Sequence, residues 1–141
     1  MLEINFSQND IAPEDMPAIN SLVAQLSSTP KNITFEQIQK VMKSGFIFTA
    51  RNNNNLVGIT TLTLIHKPTA SFGTVEDVVV DKNFRQMGIA KSLMNQLIKK
   101  AKELGLNYID LTSSPKREVA NKLYPSLNFQ LRKTNYYRLS L

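Results

Sequence analysis

A mixed α/β fold is predicted by three features of this 141-residue sequence. Residues 75–80, Val-Glu-Asp-Val-Val-Val, are a β-branched run that suits a buried strand far better than a helix. Ile89, Leu93, Met94, Leu97, Ile98, Ala101 and Leu104 then fall at helical spacing, with lysines and amides opposite and Gly105 as the stop, so one strong amphipathic helix follows that strand. Around this pair, short alternating runs and helical stripes interleave in the order β-α-α-β-β-β-α-β-α-β-β. No internal repeat is visible, and residues 1–141 read as a single domain, long enough for one core.

Leu2, Ile4 and Phe6 alternate with polar residues as a half-buried first strand would. Met16, Ile19, Leu22, Val23 and Leu26 follow at helical spacing, giving a first helix that ends near Ser27. A second helix starts at Thr34, because Thr34 and Gln37 form a capping box and Ile33 can staple onto Ile38; it stops at Gly45. Residues 46–50 and 56–65 are strand-like, and the asparagines of residues 52–55 make the hairpin turn between them, since asparagine tolerates positive φ. Residues 67–73 read as a proline-containing loop, and residues 107–112 as a short strand after the amphipathic helix. Ser114 can cap and Pro115 can open a last helix, whose buried side is Val119, Ala120, Leu123, Tyr124 and Leu127 and which Asn128 closes. Pro125 lies inside that helix and costs about 3 kcal/mol unless the helix kinks or ends there. Two strands, near residues 129–132 and 136–141, complete the chain.

Composition excludes several classes of function. There is no cysteine, hence no disulfide framework, no thiolate metal site and no cysteine nucleophile. His66 is the only histidine, which reads as a surface residue and makes no metal site alone, so no metal is expected. No run approaches the roughly 20 apolar residues of a membrane span, and the first ten residues lack the pattern of a signal peptide, so a cytoplasmic protein without membrane partners is expected. The net charge of +6 favours anionic partners. Lys91, Lys99, Lys100 and Lys102, however, read as one solvated helix face, and with no recognisable binding motif a nucleic-acid partner is not expected.

Between the valine-rich strand and its helix lies Arg85-Gln86-Met87-Gly88-Ile89-Ala90. Gly88 and Ala90 leave the backbone accessible where the first helical N–H groups have no partner and carry partial positive charge, a place for a phosphate. A glycine before a helix is by itself only a turn residue. The spacing, however, resembles the R/Q-x-x-G-x-G/A signature of the GCN5-related N-acetyltransferase (GNAT) family, matched by Arg85, Gly88 and Ala90. A second segment, Ala120-x-x-Leu123-Tyr124-x-x-Leu127-Asn128-Phe129, resembles the family's A-x-x-L-Y-x-x-L-G-F block, and the order of elements agrees. Asn128 stands in place of the common glycine, and Met87 where a basic residue is frequent.

The resemblance implies a mixed, mostly antiparallel sheet of about six to seven strands flanked by about four helices, and a transfer of acetyl from acetyl-CoA to a primary amine. It implies that Val78, Val79 and Val80 bind the pantetheine arm through their backbone and that Arg85, Gln86, Met87, Gly88, Ile89, Ala90 and Lys91 cradle the pyrophosphate. It casts Tyr124 as the tyrosine near the coenzyme sulfur, although on its own that residue reads as a core aromatic. A tyrosine, near pKa 10, cannot fully protonate a thiolate near 8.5 without an uphill cost of about 2 kcal/mol, so a hydrogen bond to the developing charge is the expected role.

Glu76 and Asp77 are neighbours on the strand and so are expected on opposite faces, only one of them toward substrate. Glu76 is preferred as base because Glu-Asp-Val-Val-Val resembles the glucosamine-phosphate acetyltransferases, while other relatives carry their base at the position of Thr74. A simple carboxylate near 4.3 is roughly 6 pKa units, or about 8 kcal/mol, short of stripping an ammonium, so burial, a water chain or prior deprotonation must help. The segment Lys116-Arg117-x-x-Ala120-x-x-x-Tyr124 is reminiscent of members acting on aminoalkylphosphonates, which points to a small acidic amine. A protein lysine or N-terminus as acceptor, and a non-catalytic acyl-CoA-binding module, are the alternative readings. A homodimer is the assembly the resemblance brings with it.

Overall fold

Strand pairing follows the apolar runs. In the computed structural model, which describes residues 3–27 and 32–141, one sheet is built from β1 (Ile4–Gln8), β2 (Gly45–Asn52), β3 (Asn55–Lys67), β4 (Ala70–Val80) and β5 (Ile109–Asp110), hydrogen-bonded in that order. The first four strands are antiparallel, and β5 joins β4 in parallel. Among the described residues four α-helices cover the sheet: α1 (Met16–Ala24), α2 (Phe35–Ser44), α3 (Ile89–Glu103) and α4 (Glu118–Ser126). Leu2, expected in the first strand, lies outside the described residues.

The two faces of the sheet carry two apolar layers. On one face α3 lays Ile89, Leu93, Met94 and Leu97 onto Phe48, Leu62 and Val75, and Tyr124 of α4 joins them. Those four large α3 side chains account for roughly 6–12 kcal/mol of transfer free energy. On the other face Ile19 and Leu22 of α1 and Ile38 of α2 meet Ile47, Ile59 and Val79. Helix α2 begins at the expected capping box, in which Thr34 Oγ1 accepts from the Gln37 amide at 3.3 Å and Gln37 Oε1 accepts from the Thr34 amide at 2.9 Å. The helix gives way to β2 at Gly45, where only glycine fits, since a Cβ there would sit 2.1 Å from the Leu62 carbonyl oxygen across the β2–β3 ladder.

Several expectations are corrected. Strand β4 begins at Ala70, so residues 67–73 are mostly strand rather than loop: Lys67 pairs with Ala70, and the turn is only Pro68-Thr69. Helix α4 begins at Glu118, not Pro115, because a turn closed by the Arg117 amide on the Ser114 carbonyl (3.0 Å) holds Arg117 outside helical geometry; Val119, expected to be buried, is 85% exposed. Pro125 does lie inside α4, but the helix ends one residue later, at Ser126, and Asn128 closes it with φ 70°. The two final strands do not form. Five strands are present among the described residues, because after Phe129 the chain leaves the body and residues 130–141 meet no ladder partner.

The β1 edge is pinned electrostatically. Arg51 donates to both Asp15 oxygens at 2.9 Å and to Asp10 at 3.3 Å. The Arg51 hydrogen bonds hold the Asp15 carboxyl below the usual range against the opposing effect of burial. Burial alone would raise Asp10, but hydrogen bonds from Ser7, Thr49 and Arg51 outweigh it and lower that group too. Both carboxyls therefore stabilise the fold above their unfolded-state pKa, and that contribution fades as pH falls through the depressed folded values. Arg51→Gln is expected to cost about 2 kcal/mol at neutral pH, or about 6 °C in Tm. Thermal melts of wild type and variant should begin to converge as pH falls below about 4, where the unfolded-state carboxylates protonate, and meet only below the depressed folded values.

Candidate active site

The site is created by an irregularity in β4. Thr61 pairs with Glu76 and Ile59 with Val79, so β4 spends one residue more than β3 between these pairs, and Asp77 takes φ 53°. Such a bulge interrupts the two-residue alternation of side chains. Val75 packs in the α3 layer while Val79, four residues on, packs in the α1–α2 layer. Glu76 and Asp77, expected on opposite faces of the sheet, both border the cavity that opens beside this bulge.

The second cause is a splay between parallel strands. Strand β5 pairs with β4 only at Gly73–Ile109 and Thr74–Asp110, so the expected strand over residues 107–112 shrinks to two residues. Beyond Asp110 the chains part. A cavity of about 180 Å³ opens between them, lined by residues 75–78 of β4, Leu111 and Thr112 beyond β5, Leu26 after α1, and Arg117 and Tyr124. A smaller, apolar cavity of about 110 Å³ lies beneath α1 and α2, and Asp77 borders it as well.

Tyr124 is 6% exposed and packs edge-on against Phe129, with ring centroids 6.0 Å apart. Burial raises its pKa, while the positive charge of Arg117 pulls in the opposite direction. The net rise keeps the phenol protonated at neutral pH, so in this cavity it is a hydrogen-bond donor. Leu26, Leu111 and Thr112 were not among the candidate residues read from sequence, and Arg117 entered there only through the Lys116-Arg117-x-x-Ala120-x-x-x-Tyr124 segment, with no role in the site. For Arg117 that segment was the signal. For Leu111 and Thr112 none existed, since only the splay brings them to β4.

Strand β4 runs from this cavity to the loop over residues 85–90. Gly88 caps α3 in the left-handed conformation, φ 77°, and Gln86 is also left-handed at φ 64°. The N–H groups of residues 86–91 have no acceptor among the described residues, the first helical bond being Ser92 N–H to the Gly88 carbonyl at 3.0 Å. A Cβ placed on Gly88 would meet no atom within 4 Å. An open shelf of unpaired amides at the start of a 15-residue helix is chemically suited to an anion. Arg85 faces elsewhere: its guanidinium donates to the Val80 carbonyl at 3.2 Å and to Gln25 Oε1 at 2.9 Å, tying the loop to β4 and to the end of α1.

The cavity thus unites Glu76, Val78 and Tyr124, and the shelf unites residues 86–91. Val79 lies on the opposite layer, where only its backbone can face a ligand beside β4. His66 sits at the far end of β3, hydrogen-bonded to Ser71 Oγ at 2.8 Å and exposed. Among the described residues no group of three or more histidines and carboxylates could hold a metal ion, and no helix is long and apolar enough to cross a membrane.

Solved structures share this architecture. An acetyltransferase of Trypanosoma brucei superimposes with a TM-score of 0.81 at 22% identity, covering 99% of this chain and 100% of that one. Glucosamine-6-phosphate N-acetyltransferase of Arabidopsis thaliana gives 0.77 at 18% identity over 96% of this chain and 98% of its own. Ribosomal-protein-alanine N-acetyltransferase of Brucella melitensis gives 0.77 at 21% identity over 99% of both chains. These likenesses show the fold; none of the curated proteins matches the sequence. The model of the acetyltransferase (GNAT) family, in contrast, matches residues 13–129, from the 3-10 turn before α1 through the bulged strand, the amide shelf and Tyr124 to the end of the tyrosine block. The chain therefore belongs to the GNAT family and is an acetyl-CoA-dependent N-acetyltransferase.

Proposed function

We propose that this enzyme moves an acetyl group directly from acetyl-CoA to the primary amine of a small acidic molecule. The observation that carries the acidic acceptor is Arg117, a guanidinium lining the same cavity as Tyr124, Glu76 and Asp77. A cation there suits a carboxylate, phosphate or phosphonate whose amine would lie toward the carboxylates of β4.

In this reading the amides of Gln86, Met87, Gly88, Ile89, Ala90 and Lys91 hold the pyrophosphate, and the backbone of residues 78–80 receives the pantetheine arm along β4. Arg85 serves the site indirectly, by fixing the loop. The Tyr124 hydroxyl donates to the sulfur as negative charge develops on it. Glu76, in the bulge, draws the ammonium proton away, directly or through water, and Asp77 is close enough along the chain to share that task. Acetyl-CoA supplies the activated acyl group; with no cysteine in the chain, the amine receives it without a thioester on the protein.

The test is initial-rate kinetics with acetyl-CoA and paired amines that differ only in bearing an anionic group. Higher kcat/KM for the anionic member is expected, with intersecting double-reciprocal lines. Arg117→Gln should raise KM for anionic amines roughly 10-fold to 100-fold, the worth of one charged hydrogen bond, and spare the neutral partners. Parallel lines, or acetylated protein formed before amine is added, would refute direct transfer. Coenzyme binding without turnover of any amine would make the chain an acyl-CoA-binding module instead.

A further inference from the structure

We propose that the acceptor is an α-amino acid with a short aliphatic side chain, and that this side chain enters the second cavity, beneath α1 and α2. That cavity encloses about 110 Å³ between Ile19 of α1, Ile38 and Val41 of α2, and Ile47 and Ile59 of the sheet. Native cores are close-packed, so an apolar void of this size destabilises the fold unless something fills it. A dry cavity of about 150 Å³ takes benzene, and by that measure this one has room for about four carbons.

Apart from Gln37, whose side chain closes the α2 capping box, the polar lining groups gather at one end. Thr61 pairs with Glu76 across the β3–β4 ladder and Asp77 is the next residue along, so both stand at the bulge. Thr61 is 8% exposed, and its hydroxyl makes no side-chain hydrogen bond among the described residues, leaving it able to accept one from an ammonium group. Asp77 also borders the active-site cavity and thus stands in the wall of both spaces. Three chemistries therefore meet around Asp77: the Arg117 guanidinium on the active-site side, the carboxylates of the bulge, and an apolar space beyond. One carbon bearing a carboxylate, an ammonium group and an alkyl chain satisfies all three. The assignment rests on Arg117 as partner of the acceptor's anion, as proposed above. In the transfer the amine nitrogen bonds to the acetyl carbon, the carbon–sulfur bond breaks with its electron pair on sulfur, and the proton lost by nitrogen goes to Glu76. Contact at three points also fixes handedness.

Initial rates with acetyl-CoA test this, using glycine, both enantiomers of alanine, α-aminobutyrate, leucine and phenylalanine, and two compounds without the carboxylate, leucine amide and isopentylamine. For one enantiomeric series kcat/KM should rise about fourfold with each side-chain carbon as far as leucine and fall at phenylalanine. The other enantiomer of leucine should be poorer by roughly 10-fold or more, and leucine amide and isopentylamine by roughly 10-fold to 100-fold. Val41→Phe should lower the leucine-to-glycine ratio of kcat/KM roughly 10-fold. Val41→Leu, a milder filling that keeps the test alive if the larger one does not fold, should move the optimum to a side chain about one carbon shorter. A series that is flat or falls from glycine to leucine overturns the proposal, as do equal rates for the two enantiomers of leucine or a rise that both Val41 variants leave untouched. If such a flat series comes with anionic amines still preferred over neutral ones, the amino-acid assignment fails alone. If leucine amide and isopentylamine match leucine, the acidic acceptor fails and the amino acid with it.

Discussion

Gly88→Glu is expected to abolish acetyl-CoA binding while leaving the protein folded. Two features make this variant informative. The left-handed φ of 77° imposes a strain of about 1–2 kcal/mol on any other residue, which a domain of this size tolerates. A Cβ there meets no protein atom within 4 Å, so the added side chain finds open space beside the amide shelf without a clash. A carboxylate about 4 Å from a phosphate costs about 4 kcal/mol at the dielectric of a protein surface, hence a roughly 10³-fold loss of affinity before steric exclusion is counted. Gly88→Asn is the control, since asparagine accepts the left-handed backbone without charge and should lose much less. Calorimetric titration with acetyl-CoA reads the result, and unchanged affinity in folded Gly88→Glu would remove the pyrophosphate from the shelf.

Tyr124→Phe should act on the chemistry alone. The ring keeps its place against Phe129 and under α3, so coenzyme affinity should stay nearly constant. Loss of one donor aimed at transition-state charge predicts a kcat lower by roughly 10-fold to 10³-fold. Because burial raises the phenol pKa, Tyr124 stays protonated throughout the physiological range, and the wild-type kcat should show no fall from its ionisation below about pH 10. Pre-steady-state rates under chemistry-limited conditions decide the matter. Full retention of kcat in Tyr124→Phe would reduce the tyrosine to a core residue.

The parts of the fold legible in the sequence are those in which local chemistry and tertiary packing agree. The capping box at Thr34, the stripe of α3, the asparagine turn and the left-handed Asn128 each follow from the residues that make them. The amide shelf was legible for the same reason, since Gly88 and the helix start are neighbours in sequence. What escaped depends on pairing between distant segments. The length of β5 is set by where it parts from β4, and no residue within 107–112 announces that point. The arm over residues 130–141 has the composition of strands, but a strand exists only where an edge receives it. The bulge was hidden because one extra residue in a β-branched run looks like the run itself.

That bulge gives β4 a change of parity. Before it, odd-numbered Val75 belongs to the α3 layer; after it, even-numbered Val78 and Val80 belong there, and odd-numbered Val79 has crossed to the other side. The strand thus contains two reading frames of inside and outside, joined at Asp77. An insertion or deletion of one residue on either side of the junction would invert every burial assignment up to it, whereas a change of two would preserve them. Sequence drift in this strand is therefore constrained to even steps in length, and the acid pair stands at the one place where that arithmetic is already broken.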